Sequence, residues 1–237
     1  MAAWDTKEII MYYFVEDKQF LKRAQSDCSA TIKELETLLR NNYDINSQAF
    51  LVGSGARNMI TQNENEGIDF DYNLNILSCP DWDDAKSIKE TVRIAFNKIL
   101  RNQGLNDAED STSSITTKPM YFKNSPEIEF KIDVCIETKN NAGEWERLIH
   151  EKTGYSFNER YFWNAAPHSK DYQEKARKIK SVPGWWNKVR TQYLDRKNYY
   201  LRKGDHNHPS FVCYIEVIND VSKTMRQKTY YKLKKRL

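Results

Sequence analysis

Residues 68–76, Ile-Asp-Phe-Asp-Tyr-Asn-Leu-Asn-Ile, alternate apolar and polar side chains without a break. Strand side chains point to opposite faces with a period of two, whereas helix faces recur near 3.6, so this stretch is predicted to be extended. One face carries Ile68, Phe70, Tyr72, Leu74 and Ile76; the other carries Asp69, Asp71, Asn73 and Asn75. A slip of one residue would bury both aspartates, so the register is strongly specified. Residues 127–137 repeat the pattern, with Ile128, Phe130, Ile132, Val134 and Ile136 facing one way and Glu129, Lys131 and Asp133 the other. Side by side in one sheet, two such strands bring Asp69, Asp71 and Asp133 together. Like charges so placed repel unless a cation sits between them. Carboxylates combined with phosphates are a usual setting for Mg²⁺. A solvated outer face of an antiparallel sheet alternates in the same way. The third carboxylate, in a matching strand, favours the metal site over that alternative.

Upstream, the apolar run Ala49–Val52 stops at Gly53-Ser54 and continues as Gly55-Ala56-Arg57-Asn58, which reads as a turn opening a short helix. Glycine lets a backbone approach a phosphate, and a helix start adds partial positive charge. Arg57 is placed to contact phosphate or to pin the loop against an acid. The set Gly53-Ser54, Asp69-x-Asp71 and a distant Asp133 resembles the nucleotidyltransferase superfamily related to DNA polymerase β. That superfamily includes poly(A) polymerases, oligoadenylate synthetases and bacterial signal-nucleotide synthases. The resemblance covers roughly Ala49 to Glu137, with a longer Ser54-to-Asp69 spacing than in compact members.

The resemblance implies an enzyme that moves a nucleoside monophosphate from an NTP to an acceptor hydroxyl and releases pyrophosphate. It implies two Mg²⁺ ions (Mn²⁺ being the alternative) on Asp69, Asp71 and Asp133, with Gly53 and Ser54 at the β- and γ-phosphates. In the family a Lys or Arg from a helical lobe often reaches the triphosphate. Here Lys175, Arg177, Lys178 and Lys180 are the candidates, Lys178 being the one chosen, although none matches a fixed motif.

The expected fold is α+β: residues 1–140 form a catalytic domain with helices on one side of a mixed sheet, and 141–237 a mostly helical lobe. Helices are predicted from about Glu16 to Asn42 and from the Asp81/Asp83 caps to Asn102, closed by Gly104. Ile115–Lys123 and Glu127–Glu137 read as an antiparallel hairpin after a 103–114 loop. A boundary is predicted at Lys139–Gly143, with helices over 144–152, 169–181, 185–202 and 209–226. Charge divides the chain. Residues 1–140 hold 16 Lys and Arg against 23 Asp and Glu, a net of −7; residues 141–237 hold 21 against 10, a net of +11. A basic half favours an anionic partner, a nucleotide or RNA acceptor among them.

Tyr155, Phe157, Tyr161 and Trp163 suit either base stacking or the core. His206 and His208 lack a third ligand and read as loop. The four scattered cysteines, Cys28, Cys79, Cys135 and Cys213, have no metal-ligand spacing. With no signal peptide and no membrane-length apolar run, they point to reduced thiols in a cytoplasmic protein without a membrane partner. A non-catalytic nucleotide- or RNA-binding regulator, antitoxin-like, is the alternative function; it leaves three repelling carboxylates near phosphate without a purpose. A sugar-nucleotide site of a glycosyltransferase would leave Gly53-Ser54 and Asp133 unexplained. Acceptor, preferred NTP and oligomeric state are open at this level.

Overall fold

The first long helix begins where a carboxylate can satisfy its free amides. In the computed structural model, which describes residues 11–64, 66–155, 158–166, 170–205 and 208–234, Asp17 accepts from the backbone N–H groups of Gln19 and Phe20. Helix α1 (Lys18–Tyr43) follows and ends at Asp44, which takes a left-handed conformation. Its Phe20, Ala24, Cys28, Ile32, Leu35 and Leu39 recur at helical spacing and are buried. Helix α2 (Ala85–Asn102) is capped one residue beyond the predicted pair: Asp84 accepts from Ser87 N–H, and Asp81 from Asp83 N–H.

The strands described are β1 (Tyr13–Phe14), β2 (Asn46–Leu51), β3 (Thr61–Gln62), β4 (Ile68–Ser78), β5 (Glu109–Asp110), β6 (Ile115–Thr116), β7 (Met120–Phe122), β8 (Ser125–Lys139), β9 (Trp145–Glu151) and β10 (Arg160–Ala165). The main sheet runs β10-β9-β8-β4-β2, with β6 and β7 also pairing with β8, and β5 with β6. Only the central pair, β4 with β8, is parallel among these pairings. A parallel pair needs a crossover, and α2 supplies it. The apolar faces of β4 and β8, both as predicted, bury Ile68, Phe70, Tyr72, Leu74 and Ile76 with Phe130, Ile132, Val134 and Ile136 in one core with α1 and α2.

Four sequence expectations change here. Residues 144–152 are not helical: Trp145–Glu151 is β9, with Leu148 and His150 buried at strand spacing. The β8 edge beyond Glu137 offers unpaired backbone groups, and this pairing outweighs a helical preference too short to stand alone. The boundary predicted at Lys139–Gly143 is instead a hairpin turn, in which Asn140 Oδ1 accepts from Ala142 and Glu144 N–H. The strand predicted over Ile115–Lys123 is split into β6 and β7 around Pro119, which has no N–H for a ladder. The 103–114 loop contains β5.

A second compact unit comprises the described residues up to Phe14, Thr61–Glu64 and those from Lys170 onward. It holds α3 (Lys170–Lys180), α4 (Trp185–Arg202), α5 (Ser210–Lys234) and the β1–β3 pair. Arg196 of α4 binds Glu216 and Asp220 of α5, and Asn198 exchanges hydrogen bonds with the Tyr12 backbone. Helix α5 continues eight residues beyond the predicted end at Arg226. No helix of the described residues is long and apolar enough to cross a membrane.

Leu74 is fully buried on the central β4. Leu74→Ala is expected to destabilise the protein by about 2–5 kcal/mol, read as a lowered urea midpoint at constant m-value.

Candidate functional site

The parallel register of β4 on β8 pairs Asp69 with Lys131 and Asp71 with Asp133. Neighbouring strands lie about 4.8 Å apart, so the alternation that buries the apolar faces also sets two carboxylates side by side on the opposite face. Asp69 is exposed; Asp71 and Asp133 are half-buried. Burial, first, and then the charges of Asp133 and Asp69 push the Asp71 carboxyl up to about 7, while Arg57 and Arg147 oppose the shift. Burial also raises Asp133, against the opposing effects of a Thr116 hydrogen bond and Lys131.

The turn after β2 closes against this pair. Val52 N–H donates to the Asp71 carbonyl at 2.8 Å. Gly53 has φ of 62°, and a Cβ built there would collide with Asp71 Oδ2. Both the backbone conformation and the close approach therefore require glycine. Ser54 follows, half-buried, its carbonyl accepting from Arg57 and Met59 N–H. The helix start predicted here is one 3-10 turn, Gly55–Arg57. It is too short to add the partial charge of a full helix terminus. Lys178 lies in the second unit, on α3, with Nζ 2.7 Å from Glu174 Oε1.

Four residues join this face that were not singled out from sequence. Thr116, the register partner of Asp133 across β6, donates its hydroxyl to Asp133 Oδ1. Glu137, four residues beyond Asp133, is 1% exposed. Arg147 Nε and Nη2 donate to its Oε1 at 3.1 and 2.8 Å, and Asn73 Nδ2 to its Oε2 at 2.7 Å. A buried carboxylate needs such partners. Strand alternation already placed Asn73 on the polar face; Glu137 was read only as the end of its strand, and Arg147 was hidden because its segment read as helix.

The aromatic candidates are structural in part. Tyr161 stacks on His150 with ring centroids 4.0 Å apart, Trp163 lies beside Trp82, and both pack against the core; Tyr155 is exposed. Phe157 and His206 lie outside the described residues. His208 Nδ1 is 2.9 Å from Asp205 Oδ2, and its ring stacks on Tyr200.

Hard oxygen donors set side by side suit Mg²⁺ or Mn²⁺, since a cation would relieve the repulsion that, after burial, raises Asp71. Among the described residues, no three His, Cys, Asp or Glu side chains are close enough, as they stand, to grip one ion.

No protein-family model matches the sequence, and no curated protein matches it. Solved structures match its fold. E. coli MS115-1 CdnC with ATP is 14% identical, with a TM-score of 0.53 over 90% of this chain and 64% of that one. The same CdnC in complex with HORMA-deltaN gives 14%, 0.53, 90% and 61%. Vibrio cholerae DncV in its GTP-bound form gives 15%, 0.52, 85% and 56%. The chain thus spans 56–64% of the length of these proteins. They are bacterial signal-nucleotide synthases of the polymerase β-like nucleotidyltransferase superfamily, and this chain has their α+β fold.

Because its folded-state pKa lies above the ordinary value of 3.8, Asp71 keeps its proton in the folded protein while the unfolded chain loses it. Metal-free stability therefore falls as pH rises from about 4 through 7. Asp71→Asn is expected to exceed the wild type in stability at pH 8 without metal, by at most about 4 kcal/mol. The difference should vanish near pH 4 and shrink with Mg²⁺, as read from urea unfolding across pH. Gly53→Ala is expected to cost about 1–3 kcal/mol at its positive φ in the same assay.

Proposed function

We propose that this protein is a divalent-metal-dependent nucleotidyltransferase that transfers a nucleoside monophosphate from an NTP to an acceptor hydroxyl and releases pyrophosphate. The observation that carries this reading is the register of Asp71 with Asp133 beside the Gly53 turn. Asp69, Asp71 and Asp133 are the residues that would hold Mg²⁺ or Mn²⁺. When bound, such ions neutralise phosphate charge and lower the pKa of an acceptor hydroxyl. Gly53 brings its backbone close to the β- and γ-phosphates, and Ser54 donates its hydroxyl to a terminal oxygen. Arg57, near enough to act on Asp71, adds positive charge on the phosphate side.

Asp133 accepts the proton of the acceptor hydroxyl. Its carboxyl, raised by burial, is a stronger base than a surface carboxylate. The freed oxygen attacks the α-phosphorus in line; the new P–O bond forms as the bond to the β-phosphate oxygen breaks, and pyrophosphate carries away the electron pair. Lys178 is our candidate for a triphosphate contact from the basic helical unit, exchanging Glu174 for phosphate.

For the acceptor we favour a second nucleotide or an RNA end. Residues 170–234 hold 16 Lys and Arg against 6 Asp and Glu, and the fold neighbours include GTP-bound and ATP-bound structures.

Asp133→Ala is expected to reduce pyrophosphate release by on the order of 10³-fold or more. NTP affinity should stay within a few-fold, measured by calorimetry in Mg²⁺. Turnover at the wild-type rate in this variant would refute the assignment, as would a wild type that releases no pyrophosphate from any NTP with Mg²⁺ or Mn²⁺.

A further inference from the structure

The β5–β6 hairpin has no task in the chemistry above, yet a buried cation holds it. The Lys89 side chain on α2 is 1% exposed. Its Nζ lies 2.6 Å from Asp110 Oδ1, and it donates to the carbonyls of Ser111 and Thr112 at 2.7 and 3.4 Å. His150 of β9, also buried, approaches the same segment. Its Nδ1 is 2.6 Å from Asp110 Oδ2, and its backbone N–H donates to the Thr112 carbonyl at 2.7 Å. The other ring nitrogen is 3.2 Å from Glu159 Oε2, without hydrogen-bond geometry. An ammonium taken out of water costs several kcal/mol unless its partners are well placed. Here the partners all lie on residues 110–112, so the network fixes the tip of this hairpin.

The tip leads directly to the site. Ser111 N–H donates to the Ser114 carbonyl, Ser114 Oγ is 3.3 Å from Thr116 Oγ1, and Thr116 donates to Asp133 Oδ1. A carboxylate on a strand turns about its terminal torsion. A donor on one oxygen fixes that plane and occupies one oxygen's lone pair, which leaves the other oxygen for a cation or a proton. The β-branched side chain of threonine is itself stiff at χ1.

We infer that Thr116 is a positioning residue for Asp133, and that the buried Lys89–Asp110–His150 network holds the strand carrying it. The inference rests on Asp133 being a metal-binding carboxylate, as proposed above. Hydrogen-bond partners of metal ligands typically contribute 10–100-fold in affinity or activity.

The test uses the full chain as wild type, Thr116→Val, Thr116→Ser and Asp133→Ala. Mn²⁺ affinity is read by electron paramagnetic resonance, with and without a non-hydrolysable ATP analogue, alongside kcat, KM and melting temperature. Thr116→Val is expected to bind Mn²⁺ about 10–100-fold more weakly and to lose kcat to a similar degree, with KM for NTP unchanged. Thr116→Ser, which keeps the hydroxyl, should recover both. Thr116→Ala replaces the valine variant if the latter does not fold. Wild-type Mn²⁺ affinity in the valine or alanine variant overturns the inference, as does a serine variant as weak as they are. A wild type that binds Mn²⁺ no better than Asp133→Ala overturns instead the function on which the inference rests.

Discussion

Two carboxylates held beside each other across a parallel ladder are the constraint around which this sheet is arranged. The pairing of Asp71 with Asp133 follows from burying two apolar strand faces against α1 and α2, because alternation leaves the aspartates no other side. The repulsion is part of the folded state: Asp71 is pushed up to about 7 by burial and by its two acidic neighbours. Such a site is destabilising by itself and survives because the packing beneath it over-determines the strand positions.

The turn at Gly53 belongs to the same constraint. A side chain there would strike Asp71, so the glycine is first a requirement of close packing. Ser54 follows at the start of a single 3-10 turn, which lacks the field of a long helix.

Around the acids lies a layer of buried polar contacts with distinct tasks. Arg147 and Asn73 satisfy Glu137, and the Arg147 guanidinium also places positive charge near Asp71. Lys89 and His150 secure the connection that leads to Thr116 and through it to Asp133. Burial draws the Lys89 ammonium below its usual range, and Asp110 opposes that shift. The helical unit has different chemistry: a strongly basic surface, ion pairs such as Arg196 with Glu216 and Asp220, and lysines resting on aromatic rings, as Lys188 does on Trp185.

The sequence by itself determined the two amphipathic strands, the face of each aspartate, the helix at Trp185–Arg202 and, nearly to the residue, α1 and α2. These depend on neighbours two to four positions apart, whose pattern is local. Beyond the hairpin onto β8 that was already legible, tertiary structure decided the strand partners and their register. It made Trp145–Glu151 a strand and so brought Arg147 to Glu137, set Thr116 opposite Asp133, and gave Gly53 its contact with Asp71. Each of these joins residues 10–18 positions apart through a backbone ladder or a close approach. A period in the sequence says which way a side chain points; the ladder, whose donors and acceptors are the same for every residue, carries no residue-specific mark of what it points toward.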